Sequence, residues 1–157
     1  MARLPEVRVS DLGGAGADSF MERAFKRDIA SVEGICAFIS LFARRYGLKD
    51  ADVFGLNLAI EEIFVNLVRY DPANNEEVSI GLEVGRGSVV ARLRSRTARP
   101  FDPTKVGRYD INKPIEDRAP GGLGIHLVRS VMDDLAYEYR DDESVITLTR
   151  RTGKAYV

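Results

Sequence analysis

The sequence predicts an α+β domain, a two-layer sandwich in which a mixed sheet is covered on one face by helices. Two observations carry this expectation. Between residues 31 and 69, apolar side chains recur at three- and four-residue intervals, the period of two successive amphipathic helices. Around residues 77–95 and 135–150, apolar and polar residues alternate in short runs, the period of strands with one buried face. A sheet with one apolar face needs a covering layer, and the helices supply it.

Residues 7–10 and 22–26 read as the first strands. Gly13-Gly14-Ala15-Gly16 between them is a flexible connector, because it lacks the lysine of a Walker loop and the spacing of a dinucleotide motif. Residues 31–46 form a helix with Ile35, Phe38, Ile39 and Phe42 on one face, and Gly47 closes it. A second helix over 51–69 turns Leu56, Ile60, Ile63, Phe64 and Leu67 to the core, and Pro72 prevents its extension. Strands at 77–84 and 88–95 flank a turn at Gly85-Arg86-Gly87. Residues 101–120 contain three prolines and no strong period, as expected of a loop that covers a site. A third helix spans 123–134, and residues 135–140 with 144–150 form a closing hairpin.

The 157 residues, 45% of them hydrophobic, suit one domain over 1–157 with residues 1–19 as an N-terminal extension. A net charge of -1 argues against a nucleic-acid partner. Arg92, Arg94, Arg96 and Arg99 cluster locally, but they alternate along a strand as a solvated face does. The single cysteine, Cys36, excludes an intramolecular disulfide and reads as a core residue in a reducing compartment. No cysteine and histidine grouping offers a zinc site. The opening Met-Ala-Arg-Leu-Pro lacks the apolar stretch of a signal peptide, and the longest apolar helical run, 35–42, is far short of a bilayer crossing. The expectation is a cytoplasmic protein without a membrane partner.

Two segments carry chemistry. Glu62 and Asn66 are one helical turn apart, so a carboxylate and a carboxamide emerge on one face and can converge on a metal ion or a water. Glu61, one residue away, points elsewhere and reads as a surface charge. Gly121-Gly122-Leu123-Gly124 opens the third helix, where bare glycines let backbone N–H groups approach a phosphate beside the positive end of the helix dipole. The plainer readings are a polar stripe for the first and a flexible helix entry for the second. His126, just past the last glycine, reads as a surface or partly packed residue.

The order and spacing of these segments resemble the GHKL-type (histidine kinase-like) ATPase superfamily, and within it the anti-sigma-factor serine/threonine kinases, over roughly residues 20–151. Arg99-Pro100-Phe101-Asp102-Pro103 adds to the likeness, since a Pro-Phe-Asp-Pro run often follows the adenine-binding strand in that branch. The resemblance implies a Bergerat-type ATP-binding fold with ATP and magnesium as cofactors. It implies Glu62 as the catalytic base, Asn66 as magnesium ligand, and Gly121, Gly122 and Gly124 as the phosphate-binding end of the ATP lid. The implied role is transcription regulation, with a sigma factor and an anti-anti-sigma-type protein as partners and homodimers consistent with the family.

One landmark departs from the pattern. The family carries Asp-x-Gly before the Pro-Phe-Asp-Pro run, and without gaps Arg96 takes the aspartate position and Ala98 the glycine position. A guanidinium donates hydrogen bonds and accepts none, so Arg96 as a cofactor-binding residue has the wrong polarity for the adenine amine. Three readings follow: ATP held through another acceptor, GTP read through its carbonyl and N7 edge, or a degenerate non-catalytic relative that sequesters a sigma factor or other regulator.

Overall fold

The computed structural model describes residues 19–106, Asn112, Pro114 and residues 122–155. The expected strand at 7–10, the glycine connector at 13–16 and Gly121 lie outside the described residues. In chain order the elements are β1 (Phe20–Phe25), α1 (Val32–Tyr46), α2 (Asp50–Tyr70), β2 (Val78–Arg96), α3 (Gly122–Val131), β3 (Asp134–Arg140) and β4 (Glu143–Ala155). The sheet order is β1-β2-β4-β3.

β2 is a strand folded back on itself. Arg92 Nη1 and Glu83 Oε2 form an ion pair at 2.8 Å although they are nine residues apart in sequence. Nine residues of extended chain span about 30 Å, so the strand must reverse between them. It does so at Gly85-Arg86-Gly87, where Gly87 takes φ 74°, a left-handed angle that glycine adopts without strain. The two strands the sequence predicts here are therefore the arms of β2. The first arm pairs with β1 and the second with β4.

The α+β class and the two layers are as the sequence predicts, but every described pairing is antiparallel, so the sheet is not mixed. Connectivity explains this. Two helices separate β1 from β2, and an even number of crossings returns the chain to the end where β1 finished, so β2 leaves in the opposite direction. The single crossover through α3 does align β3 with the second arm of β2, but β4 lies between them.

Val78, Ile80, Leu82 and Val84 of the first arm, Val89, Ala91 and Leu93 of the second, and Ile146 and Leu148 of β4 make the inner face. α1 and α2 cover it with the apolar stripes read from the sequence, all buried. Each such side chain contributes about 1.5–3 kcal/mol of hydrophobic stabilisation. Gly47 at φ 66° closes α1 by donating to Ala43 O, as its position predicts. Arg27 finishes α2, donating to Leu67 O at 3.0 Å and to Glu76 O at 3.2 Å; burial lowers its pKa below the usual guanidinium range.

α3 ends at Val131, short of the expected residue 134. Asp133 N–H donates to Thr149 O at 2.8 Å, which draws the chain into the β ladder. Arg150 of β4 ties three elements together: Nε lies 2.7 Å from Asp52 Oδ1 at the start of α2, and Nη1 donates at 2.7 Å to Val131 O at the end of α3. Gly55 makes room for it, because a Cβ there would lie 3.0 Å from Nη1. Cys36 is half-buried rather than a core residue, because it lies on the α1 flank within range of the Glu61 charge. Glu61 and His126 are exposed, as expected. Among the described residues no helix is long and apolar enough to cross a membrane.

Candidate active site

The fold brings the two chemical segments together. Gly124, in the first turn of α3, faces Glu62 and Asn66 of α2: a Cβ on Gly124 would lie 2.5 Å from Glu62 Oε2 and 3.8 Å from Asn66 Nδ2. A side chain there would force the Glu62 carboxylate to move. Gly122 opens the same helix, so backbone N–H groups of its first turn have no intrahelical acceptor. Glu62 and Asn66 are half-buried, and Asn66 Nδ2 is a buried donor without a hydrogen-bond partner among the described residues. Such a group costs about 1–3 kcal/mol unless something outside the chain satisfies it.

One further turn along α2, Tyr70 continues the stripe of Glu62 and Asn66. Its ring lies 5.2 Å from that of Phe101, and both line a cavity of about 540 Å³ with Pro100, Val106, Tyr137 and Tyr139. That volume is within the range of small-molecule sites. Asp102 and Lys105 sit on its rim. Burial pushes the phenol of Tyr137 above the usual tyrosine range. Arg129 of α3 secures the near edge of the cavity, donating to Val106 O at 2.9 Å and Thr104 O at 3.2 Å.

Arg96 does not join this group. Along the second arm of β2, Val89, Ala91, Leu93 and Ser95 are buried while Arg94 and Arg96 are exposed. The pleat therefore sends Arg96 to the outer face, with Arg92, Arg94 and Glu143 around a shallow polar hollow. The motif-based placement of Arg96 at the aspartate position is off by one residue from the pleat. Ser95 and Thr97 are the residues that point inward. Thr97 Oγ1 donates to Asp71 Oδ2 at 2.9 Å, and Tyr139 Oη donates to Thr97 O at 2.8 Å, so the strand end is fastened to the end of α2 and to β3. Ala98 is exposed beside Asp71 and Asn74.

Sequence reasoning missed Ser95, Tyr70 and Asp71. Two signals were present: the 62, 66, 70 spacing on α2, and the alternation of Val89, Ala91 and Leu93, which continues inward to Ser95. No group of three or more His, Cys, Asp or Glu side chains is arranged to hold a metal among the described residues.

Residues 25–150 match the histidine kinase-like ATPase domain family. The chain belongs to that family. Within the histidine kinase-like ATPases it falls in the anti-sigma serine kinase branch. It is 32% identical over 113 residues to the serine-protein kinase RsbW of Bacillus cereus (strain B4264), a match covering 66% of this chain and 68% of that one. RsbW of Bacillus anthracis (strain CDC 684 / NRRL 3495) is also 32% identical, over 111 residues and the same shares. The crystal structure of the RsbU and RsbW domains of a Mycobacterium tuberculosis protein superposes with a TM-score of 0.59 at 14% identity. That superposition covers 84% of this chain and 32% of the other, and it supports the fold of this histidine kinase-like ATPase domain.

Proposed function

We propose that this domain is a serine/threonine protein kinase that binds ATP with magnesium, phosphorylates a serine of an anti-anti-sigma-type protein and holds a sigma factor, and so regulates transcription. The observation that carries the reading is the seating of Gly124 against Glu62 and Asn66. The residues fit the cofactor on two counts: a buried carboxamide has no partner among the described residues, and the bare Gly124 leaves space beside Glu62 and Asn66 that a Cβ would enter. A half-turn of the Asn66 amide exchanges Nδ2 for Oδ1 at almost constant shape, which suits a hard cation.

Asn66 would hold magnesium, and Gly121, Gly122 and Gly124 would offer backbone N–H groups to the phosphates. When bound, magnesium neutralises charge on the phosphate oxygens. Glu62 would accept the proton of the attacking serine hydroxyl, a role supported by its carboxylate lying beside Gly124 at the start of α3. Calorimetric titration with ATP and magnesium is the test: wild type should bind and Asn66→Ala should bind at least tenfold more weakly. Equal, metal-independent affinity of the two forms would overturn the assignment.

A second reading, a non-catalytic relative that sequesters its partner, is favoured by one observation. The inward strand positions carry Ser95 and Thr97, so no carboxylate of that strand faces the helices. Co-purification from the native cell separates the two readings. Full recovery of a sigma factor with no phosphate transfer to any recovered protein would favour sequestration.

A further inference from the structure

β1 is an open edge of the sheet. It pairs with the first arm of β2 on one side and, among the described residues, with no strand on the other. Every second residue of an edge strand leaves its N–H and C=O unpaired, and such an edge accepts a further strand. α1 forms a wall above it. Phe25 packs against Phe38 with ring centroids 5.8 Å apart, and a Cβ on Gly34 would lie 3.7 Å from the Phe25 ring. Leu41 continues the stripe of Gly34 and Phe38 along α1 and is 43% exposed. Open edge, bare glycine and exposed leucine frame a groove in which an extended segment can pair its backbone with the strand and pack alternate side chains on the helix.

The groove also holds a charge. Arg23 stands between Met21 and Phe25, both buried, and opposite buried Ile80, so it lies on the inner face of the sheet. Its guanidinium carbon sits 5.3 Å from the centroid of the Phe25 ring, and Nε is buried without a hydrogen-bond partner among the described residues. An unsatisfied buried donor on a charged group is costlier than a neutral one, so an acceptor is expected from whatever fills the groove.

We propose that residues 7–11 of this chain add to β1 as an antiparallel strand, with Val7 and Val9 turned toward α1 and the Asp11 carboxylate accepting from Arg23 Nε. The sequence favours this occupant on three counts. The period of a strand puts Val7, Val9 and Asp11 on one face and Arg8 and Ser10 on the other. Asp11 on that face supplies the charge that Arg23 lacks. Residues 12–19 join the segment to β1 through Gly13-Gly14-Ala15-Gly16, a connector that can reverse the chain for an antiparallel neighbour but is too short for the crossover a parallel one needs. The tether gives the segment an effective concentration of millimolar order, ahead of any strand from another molecule. An edge filled in this way is closed to other chains.

Amide hydrogen exchange of the whole chain, read by mass spectrometry, tests this. In wild type residues 7–10 should exchange at least about tenfold more slowly than an unstructured chain. Val9→Lys sets a second cation beside Arg23 and should return residues 7–10 to the unstructured rate and quicken exchange in β1, with β4 unchanged. Asp11→Ala removes the acceptor and should lose most of the protection of residues 7–10. If Val9→Lys loosens β4 as well, Asp11→Ala alone carries the test. An unprotected segment in wild type overturns the proposal, and so does protection that ignores both substitutions. Protection that falls on dilution overturns it too and assigns the groove to a second copy of the chain.

Discussion

Arg150 Nε lies 2.7 Å from Asp52 Oδ1, and Asp52 is almost wholly buried. The pair joins the start of α2 to β4, and the second arm of the same guanidinium holds the end of α3. The two helices that carry Glu62 and Gly124 are thus fixed by one side chain. Replacing Arg150 by Met leaves Asp52 without that counter-charge and should destabilise the fold by about 2–4 kcal/mol, somewhat below the usual figure for a fully buried pair because the arginine is partly exposed. Urea unfolding measures it. A loss under about 1 kcal/mol would show that solvent, and not the ion pair, balances Asp52.

Gly124→Ala puts a methyl group 2.5 Å from Glu62 Oε2. The substitution should cost stability in the wild-type background and much less when combined with Glu62→Ala. A double-mutant cycle should return a coupling of about 1 kcal/mol or more. Additive effects would mean that the two helices separate freely to admit the methyl.

Glu62→Gln keeps the shape of the side chain and removes its capacity to take a proton. Phosphate transfer to the partner should fall by about 10²–10⁴-fold while ATP affinity changes little. A parallel loss of both would assign Glu62 to binding instead of proton transfer.

Burial, with the nearby Glu61 charge, raises the Cys36 thiol above its ordinary range. At pH 8 the native chain should react with a disulfide reagent more slowly than the urea-unfolded chain, and the gap should narrow as pH rises. Because the folded thiol holds its proton more tightly, this group favours the folded state below the ordinary thiol pKa and loses that contribution as pH climbs through the folded value. Equal rates at pH 8 would contradict the shift.

The β3–β4 turn holds Asp141 at φ 52° and Asp142 at φ 62°, left-handed angles that suit asparagine and glycine better than aspartate. Asp142→Gly should stabilise the hairpin by about 0.5–1 kcal/mol, because Tyr139 keeps its bond to Thr97 O and the Asp142 carbonyl contact with Thr97 N–H is a backbone one. A fall in melting temperature would show that the Asp142 carboxylate, 3.1 Å from Tyr139 Oη, is worth more than the strain.

Both long helices and the turns at Gly47 and Gly87 could be read from the chain because local periodicity and φ preference decide them. α3 was harder, since its end is set by Asp133 joining a strand sixteen residues further on, at Thr149, which no local pattern encodes. The site shows the same division. Glu62 with Asn66 follows from helical spacing, but their contact with Gly124 depends on the docking of α3. Arg96 was assigned by counting back from Pro100, whereas the pleat counts forward from Val89, Ala91 and Leu93, and the two counts disagree by one residue. That single step replaces a guanidinium by the hydroxyl of Ser95.

The pairing of Phe20 with Glu83 and of Val89 with Arg150 joins residues about sixty positions apart, and the β3–β4 hairpin and the reversal within β2 are the local exceptions. Closing such loops is slow, so helices α1 and α2 should form long before β4 finds the second arm of β2. Arg150 arrives with β4, which means that α3 is clamped to α2 only at that late step. Pulse-labelling hydrogen exchange during refolding should then protect α2 early and the second arm of β2 late. A newly made chain would pass through a stage in which Glu62 and Asn66 are already helical and have no Gly124 to face.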